Sequence, residues 1–146
     1  MTTRLVSVLH HELVHAAWHA EAPGVIQPAW LNEGLAEWLE ARALGQRGIA
    51  TGQRRYLVEN FDRLFSLAQL SMPAFGHLGP DAAGVAYLQS FAFVEYLART
   101  QGERGLRRLC RELVRTGKLD RAVRRVYRKD LGRLEQGFLD ELRSLR

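Results

Sequence analysis

Along almost the whole chain apolar residues return every three or four positions, and no segment alternates apolar and polar for long. The sequence therefore specifies helices and leaves little from which to build a sheet. Leu5, Val6, Leu9, Leu13, Ala16 and Ala17 set the period over residues 3–19, with Thr2 or Thr3 as cap and Pro23-Gly24 as terminator. A second helix is predicted to start at Pro28 and to run through Trp30, Leu31, Leu35, Trp38 and Leu39 to Leu44-Gly45. Tyr56, Leu57, Asn60, Phe61, Leu64, Phe65 and Ala68 predict a third. Residues 71–84 contain Pro73, Gly76, Gly79, Pro80 and Gly84 and are predicted to form an irregular loop. Helix resumes near Ala86 and covers residues 87–99, 104–116, 122–127 and 131–145, with Gly102, Gly117 and Gly132 as stops. The expected fold class is mainly α, with one helical domain spanning residues 1–146.

Composition removes several alternatives. Cys110 is the sole cysteine, so neither an intramolecular disulfide nor a thiolate metal cluster can form. Lys and Arg outnumber Asp and Glu by 21 to 16, and most of the surplus follows Gly102. Such a tail can meet phosphate or acidic lipid; against that, Glu103, Glu112, Asp120 and Asp130 are interleaved there, which is the pattern of a solvated helix face, and no nucleic-acid motif accompanies the charge. The apolar run from Leu5 to Leu9 is ended by His10, His11 and Glu12, far short of a signal-peptide core or a membrane span. Localisation is left open.

Chemistry concentrates in His11-Glu12-Leu13-Val14-His15. Two imidazoles four residues apart on a helix project from the same face, one turn apart, and can both reach one zinc ion. Glu12, offset by one residue, falls beside such an ion rather than on it, where a carboxylate can deprotonate an attacking water. The helix is expected to be otherwise apolar on the side of the two histidines, where burying them without a shared partner is costly. A hydrolytic zinc site takes three protein ligands, so a third is expected from a neighbouring element, and Asn32-Glu33-Gly34 supplies a carboxylate.

The segment Trp30-Leu31-Asn32-Glu33-Gly34-Leu35-Ala36, whose Glu33 is separated from His15 by 17 residues, resembles the W-L-N-E-G-x-A segment of the aminopeptidase N-like gluzincins, which are peptidase MA-like zinc metallopeptidases. That resemblance implies Glu33 as third ligand beside His11 and His15, with one zinc ion per chain. Glu37 and Glu40 share the helical face of Glu33 and can accept the outward N–H of a ligand imidazole. Similarity to thermolysin-like enzymes favours Glu37. Tyr87-Leu88-Gln89-Ser90 and its apolar continuation to Leu97 are similar to the family's Y-x-K-G helix, with Gln89 and Ser90 replacing Lys and Gly. The match implies that Tyr87 donates a hydrogen bond to the oxyanion of the tetrahedral intermediate. His77, in the breaker-rich loop, is the alternative donor, whereas His10 and His19 read as bystanders.

The resemblance extends through the tail, residues 102–145, to the short closing helices of bacterial peptidase MA-like proteins. It implies the zinc-binding helical half of a gluzincin that hydrolyses peptide bonds by zinc-bound water, with a peptide or protein as partner and no nucleic acid. Family members precede the histidine helix with a small sheet that pairs with substrate. With His11 so close to Met1, that sheet is expected to be largely absent here; one alternative is that the chain is a fragment of a longer, exported or membrane-tethered protein. The alternative expectation is a catalytically inactive, zinc-bound scaffold or interaction domain of a larger protein.

Overall fold

The structure, a computed structural model, describes residues 3–146, with side chains from Val6 onward. The cap expected of Thr2 or Thr3 and the side chain of Leu5 lie outside the described residues. Seven α-helices follow in order: α1 (Thr3–Glu21), α2 (Ala29–Ala43), α3 (Thr51–Glu59), α4 (Leu67–Leu70), α5 (Pro80–Thr116), α6 (Leu119–Tyr127) and α7 (Leu131–Ser144). A 3-10 turn, Phe61–Arg63, lies between α3 and α4. The described residues contain no strand, in keeping with the mainly α expectation.

α5 is the central pillar. It packs against α2, α3, α6 and α7, and α1 packs on α2. Trp30 and Leu31 of α2, Phe93 and Leu97 of α5, and Leu134 and Leu142 of α7 are almost fully buried together. Phe93 meets Trp30 and Phe138 edge to face, with ring centroids 5.1 Å and 5.4 Å apart, the preferred aromatic geometry. Gly34 marks the closest approach of α2 to α5. A Cβ there would lie 2.5 Å from the Ser90 carbonyl oxygen and 2.7 Å from Val94 Cγ2, so only glycine fits without displacement. The buried Glu95 carboxylate of α5 accepts from Ile49 N–H at 2.7 Å and from Arg54 at 3.0 Å, and so ties the α2–α3 connection to the pillar.

Four boundaries differ from the sequence-based expectation. The third helix does not run unbroken to Ala68, because Leu64 and Ser66 adopt extended backbone and Ser66 caps α4 afresh. Ser66 Oγ accepts from Gln69 N–H at 3.2 Å, and Gln69 Oε1 accepts from Ser66 N–H at 2.8 Å. The extended Phe65 backbone is clamped by Gln89, which accepts from Phe65 N–H at 2.9 Å and donates to its carbonyl at 2.6 Å. The loop expected over residues 71–84 ends at Gly79: Pro80 takes the first helical position, where a missing N–H costs nothing, and Gly84 lies inside α5. Residues 80–116 continue as one element, although at Gly102 (φ 69°, ψ 169°) the backbone leaves helical geometry and kinks it. Gly132 is not a stop; Asp130 caps α7 by accepting from Arg133 N–H at 2.8 Å, which places Gly132 in its first turn, and α6 ends instead at Arg128 with φ 57°.

The orientation of α1 is a further correction. Its apolar positions were expected to share a side with the two histidines, yet Leu9 and Leu13 are 45% and 62% exposed, and Ala16 and Ala17 are exposed as well. His11, His15, Val14 and Trp18 form the face turned to α2 and the core. Polar partners on α2 hold α1 by its histidine face, and the apolar face is left outward.

Candidate metal centre

Helix α1 sets His11 and His15 one turn apart, and their rings meet edge on with centroids 4.8 Å apart. The second turn of α2 brings Glu33 opposite them. Both imidazoles direct Nε2 at one carboxylate oxygen: Glu33 Oε2 is 3.3 Å from His11 Nε2 and 3.5 Å from His15 Nε2. One ligand atom from each of the three residues lies within 4.8 Å of the other two. Two imidazole nitrogens and one carboxylate oxygen form a donor set suited to a divalent cation, and zinc in particular.

The remaining ring nitrogens are tied down from behind. His15 Nδ1 is 2.9 Å from Asn32 Oδ1, which fixes the ring and keeps Nε2 for the centre. His11 Nδ1 faces two carboxylates, Glu40 Oε2 at 3.5 Å and Glu37 Oε1 at 3.9 Å. The nearer is Glu40, not the favoured Glu37, and Ser7 Oγ donates a hydrogen bond to Glu40 from the preceding turn of α1. Helical spacing set both carboxylates behind His11 but left their order to side-chain rotamers. Asn32 and Ser7 were not singled out from the sequence as supports; the adjacency of Asn32 to Glu33 was the available signal for the former.

Electrostatics concentrate negative charge around the histidines. The hydrogen bond that His11 donates to Glu33 raises the His11 pKa above its ordinary value against the opposing effect of burial, with the charges of Glu37 and Glu40 adding to it. Burial, reinforced by Glu40, raises the Glu37 carboxyl. Glu12 is exposed on α1, one residue beyond His11.

Tyr87 stands at the start of the third turn of α5, half-buried, and its ring packs edge to face on the buried Phe75 with centroids 5.2 Å apart. Burial first, and then the charges of Glu33 and Glu37, raise its phenol pKa. The tyrosine thus shares the electrostatic environment of the histidine–glutamate cluster. His77 is exposed on the loop before α5, and His10 turns Nδ1 to its own helix at Val6 O, 2.8 Å away. Gln89 and Ser90, at the departures from the Y-x-K-G pattern, are buried and serve the fold: Gln89 holds Phe65, and Ser90 Oγ donates to the Ala86 carbonyl at 2.6 Å.

Comparison with known proteins points the same way. The family model described as Peptidase MA superfamily matches residues 3–143. No curated protein and no solved structure gives a significant match.

Proposed function

Because the chain belongs to the Peptidase MA superfamily, we propose that it is a zinc-dependent peptidase in which His11, His15 and Glu33 hold one zinc ion per chain. The observation that carries this reading is the convergence of both His Nε2 atoms on Glu33 Oε2, with their Nδ1 atoms facing Asn32, Glu40 and Glu37. A bound zinc ion would supply Lewis acidity, polarising the scissile carbonyl and the attacking water.

The chain's own residues carry the remaining chemistry. Glu12, exposed beside the ligand helix face, accepts the proton of the attacking water and delivers it to the leaving amine. Tyr87 donates its hydroxyl hydrogen to the charge that develops on the carbonyl oxygen, and its raised pKa keeps the phenol protonated for that purpose. Asn32 and Glu40 hold the imidazoles in the tautomer that leaves Nε2 free for metal.

The decisive comparison is wild type against Glu12→Gln. The variant is expected to retain zinc and lose cleavage of a casein or peptide-library substrate, because the amide keeps the shape of the side chain without its basicity. Equal rates would remove Glu12 from the mechanism. A wild type that holds zinc and cleaves nothing in a broad library would favour the inactive zinc-bound scaffold.

A further inference from the structure

The link between α1 and α2 presents an apolar residue to solvent. After the turn at Pro23-Gly24, in which Val25 N–H donates to the Ala22 carbonyl at 3.0 Å, the chain runs without regular structure to Pro28. Val25 turns inward and packs on the core, close to Gly117 at the start of the α6 corner. Val25 takes the core side of the link, and Ile26 beside it faces solvent and is 90% exposed. Beside it opens a groove of about 840 Å³ bordered by Pro28 and, from α6, Lys118, Leu119, Arg121 and Arg124.

Helix α6 buries Ala122, Val123, Val126 and Tyr127, so the cations spaced three and four residues apart on its other side face solvent. A second depression continues from Arg124 to Arg128, Lys129 and Arg133. The two depressions together carry six cations against the carboxylates of Asp120 and Asp130. Arg133 lies near Asp130, whereas Lys118, Arg121, Arg124, Arg128 and Lys129 pair with no carboxylate among the described residues.

We propose that this face, on which Ile26 shares a groove with the cations at and around α6, docks on an anionic lipid bilayer, with Ile26 entering the headgroup–acyl boundary and the cations meeting lipid phosphates and carboxylates. An apolar tip and a basic patch are the two signals that together hold a peripheral protein on a membrane. No described helix is long and apolar enough to cross one, so the attachment is to the surface. A nucleic acid fits less well: the groove offers no exposed aromatic ring for a base to stack on, and an isolated isoleucine gains nothing from a phosphate backbone. Docking places the entry to α2, and Glu33 seven residues beyond Ile26, near the bilayer. The proposal stands independently of the hydrolytic reading.

The test is sedimentation of the full chain with phosphatidylcholine vesicles, with and without phosphatidylserine. The anionic vesicles are expected to bind at least about tenfold more tightly, since each surface cation contributes roughly fivefold. Binding should weaken as salt is raised. The double variant Arg121→Glu/Arg124→Glu should lose at least about tenfold, and Ile26→Asp should weaken the residual binding at high salt. Circular dichroism and thermal melting of each variant confirm that the fold is kept. Three results would overturn the proposal: no binding to anionic vesicles, equal binding to both vesicle types, or an oligonucleotide bound more tightly than the vesicles with Ile26→Asp without effect.

Discussion

At the scale of single residues, the centre is held from two sides. Glu33 faces both Nε2 atoms, while Asn32 and Glu40 take the opposite nitrogens, so neither ring is free to turn. Tyr87 differs, since its ring is fixed by Phe75 and its hydroxyl has no hydrogen-bond partner among the described residues. A donor that rests on packing alone is available to a transient charge. Tyr87→Phe is expected to lower kcat by about 100-fold with zinc content unchanged, because a hydrogen bond made chiefly in the transition state is removed. Peptide turnover and metal analysis on the same sample check this. Unchanged turnover would take the role from Tyr87 and make His77, the other donor considered, the next residue to substitute.

At the scale of elements, the crossing of α2 over α5 sets where Glu33 stands. Gly34 follows Glu33 directly, and its missing side chain lets the α2 backbone approach the Ser90 carbonyl. Gly34→Ala should lower stability by about 2 kcal/mol, since the strain of an overpacked contact exceeds the gain of about 1 kcal/mol in helix propensity. A lower denaturant midpoint at unchanged slope is the expected readout, and a stabilised variant would show that the helices separate easily. The apolar period located α1, α2 and α5 and gave the ligand spacing, because 3.6 residues per turn dictates which side chains share a face. It gave no account of which face turns inward. In α1 the face that packs on α2 carries the histidines, which meet Glu33, Glu40 and Asn32, together with Val14 and Trp18, and Leu13 lies outside. Nor did it reveal the break at Leu64–Ser66, which depends on Gln89, more than twenty residues away in sequence.

At the scale of the whole molecule, the centre clamps α1 to the rest, because α1 packs chiefly on α2. A metal ion held between the two helices would bind only the folded chain and would therefore stabilise it. Chelation is expected to lower the melting temperature of the wild type by about 5–10 °C, equivalent to ~2.7 kcal/mol if free zinc had stood at 100 times Kd. Glu33→Ala, lacking the third ligand, should melt at the same temperature with and without chelator. A wild type insensitive to chelator would argue against metal at this centre. Scanning calorimetry of the four samples decides it.

By itself the sequence determined the helical class, the single cysteine's exclusion of disulfides and the shared face of His11 and His15, because each follows from residue type and local spacing, while its resemblance to the gluzincins singled out Glu33 as their partner in the cluster. Local periodicity carries such information across a turn or two of helix, and the two motifs needed only a helix, a link and a return to meet. Tertiary structure alone decided that Glu40 stands nearer to His11 than Glu37, that Asn32 backs His15, and that Ile26 emerges among the cations of α6. Those outcomes join segments distant in sequence through packing at Gly34, Val25 and Gln89, and no periodicity within one segment encodes where another will lie against it.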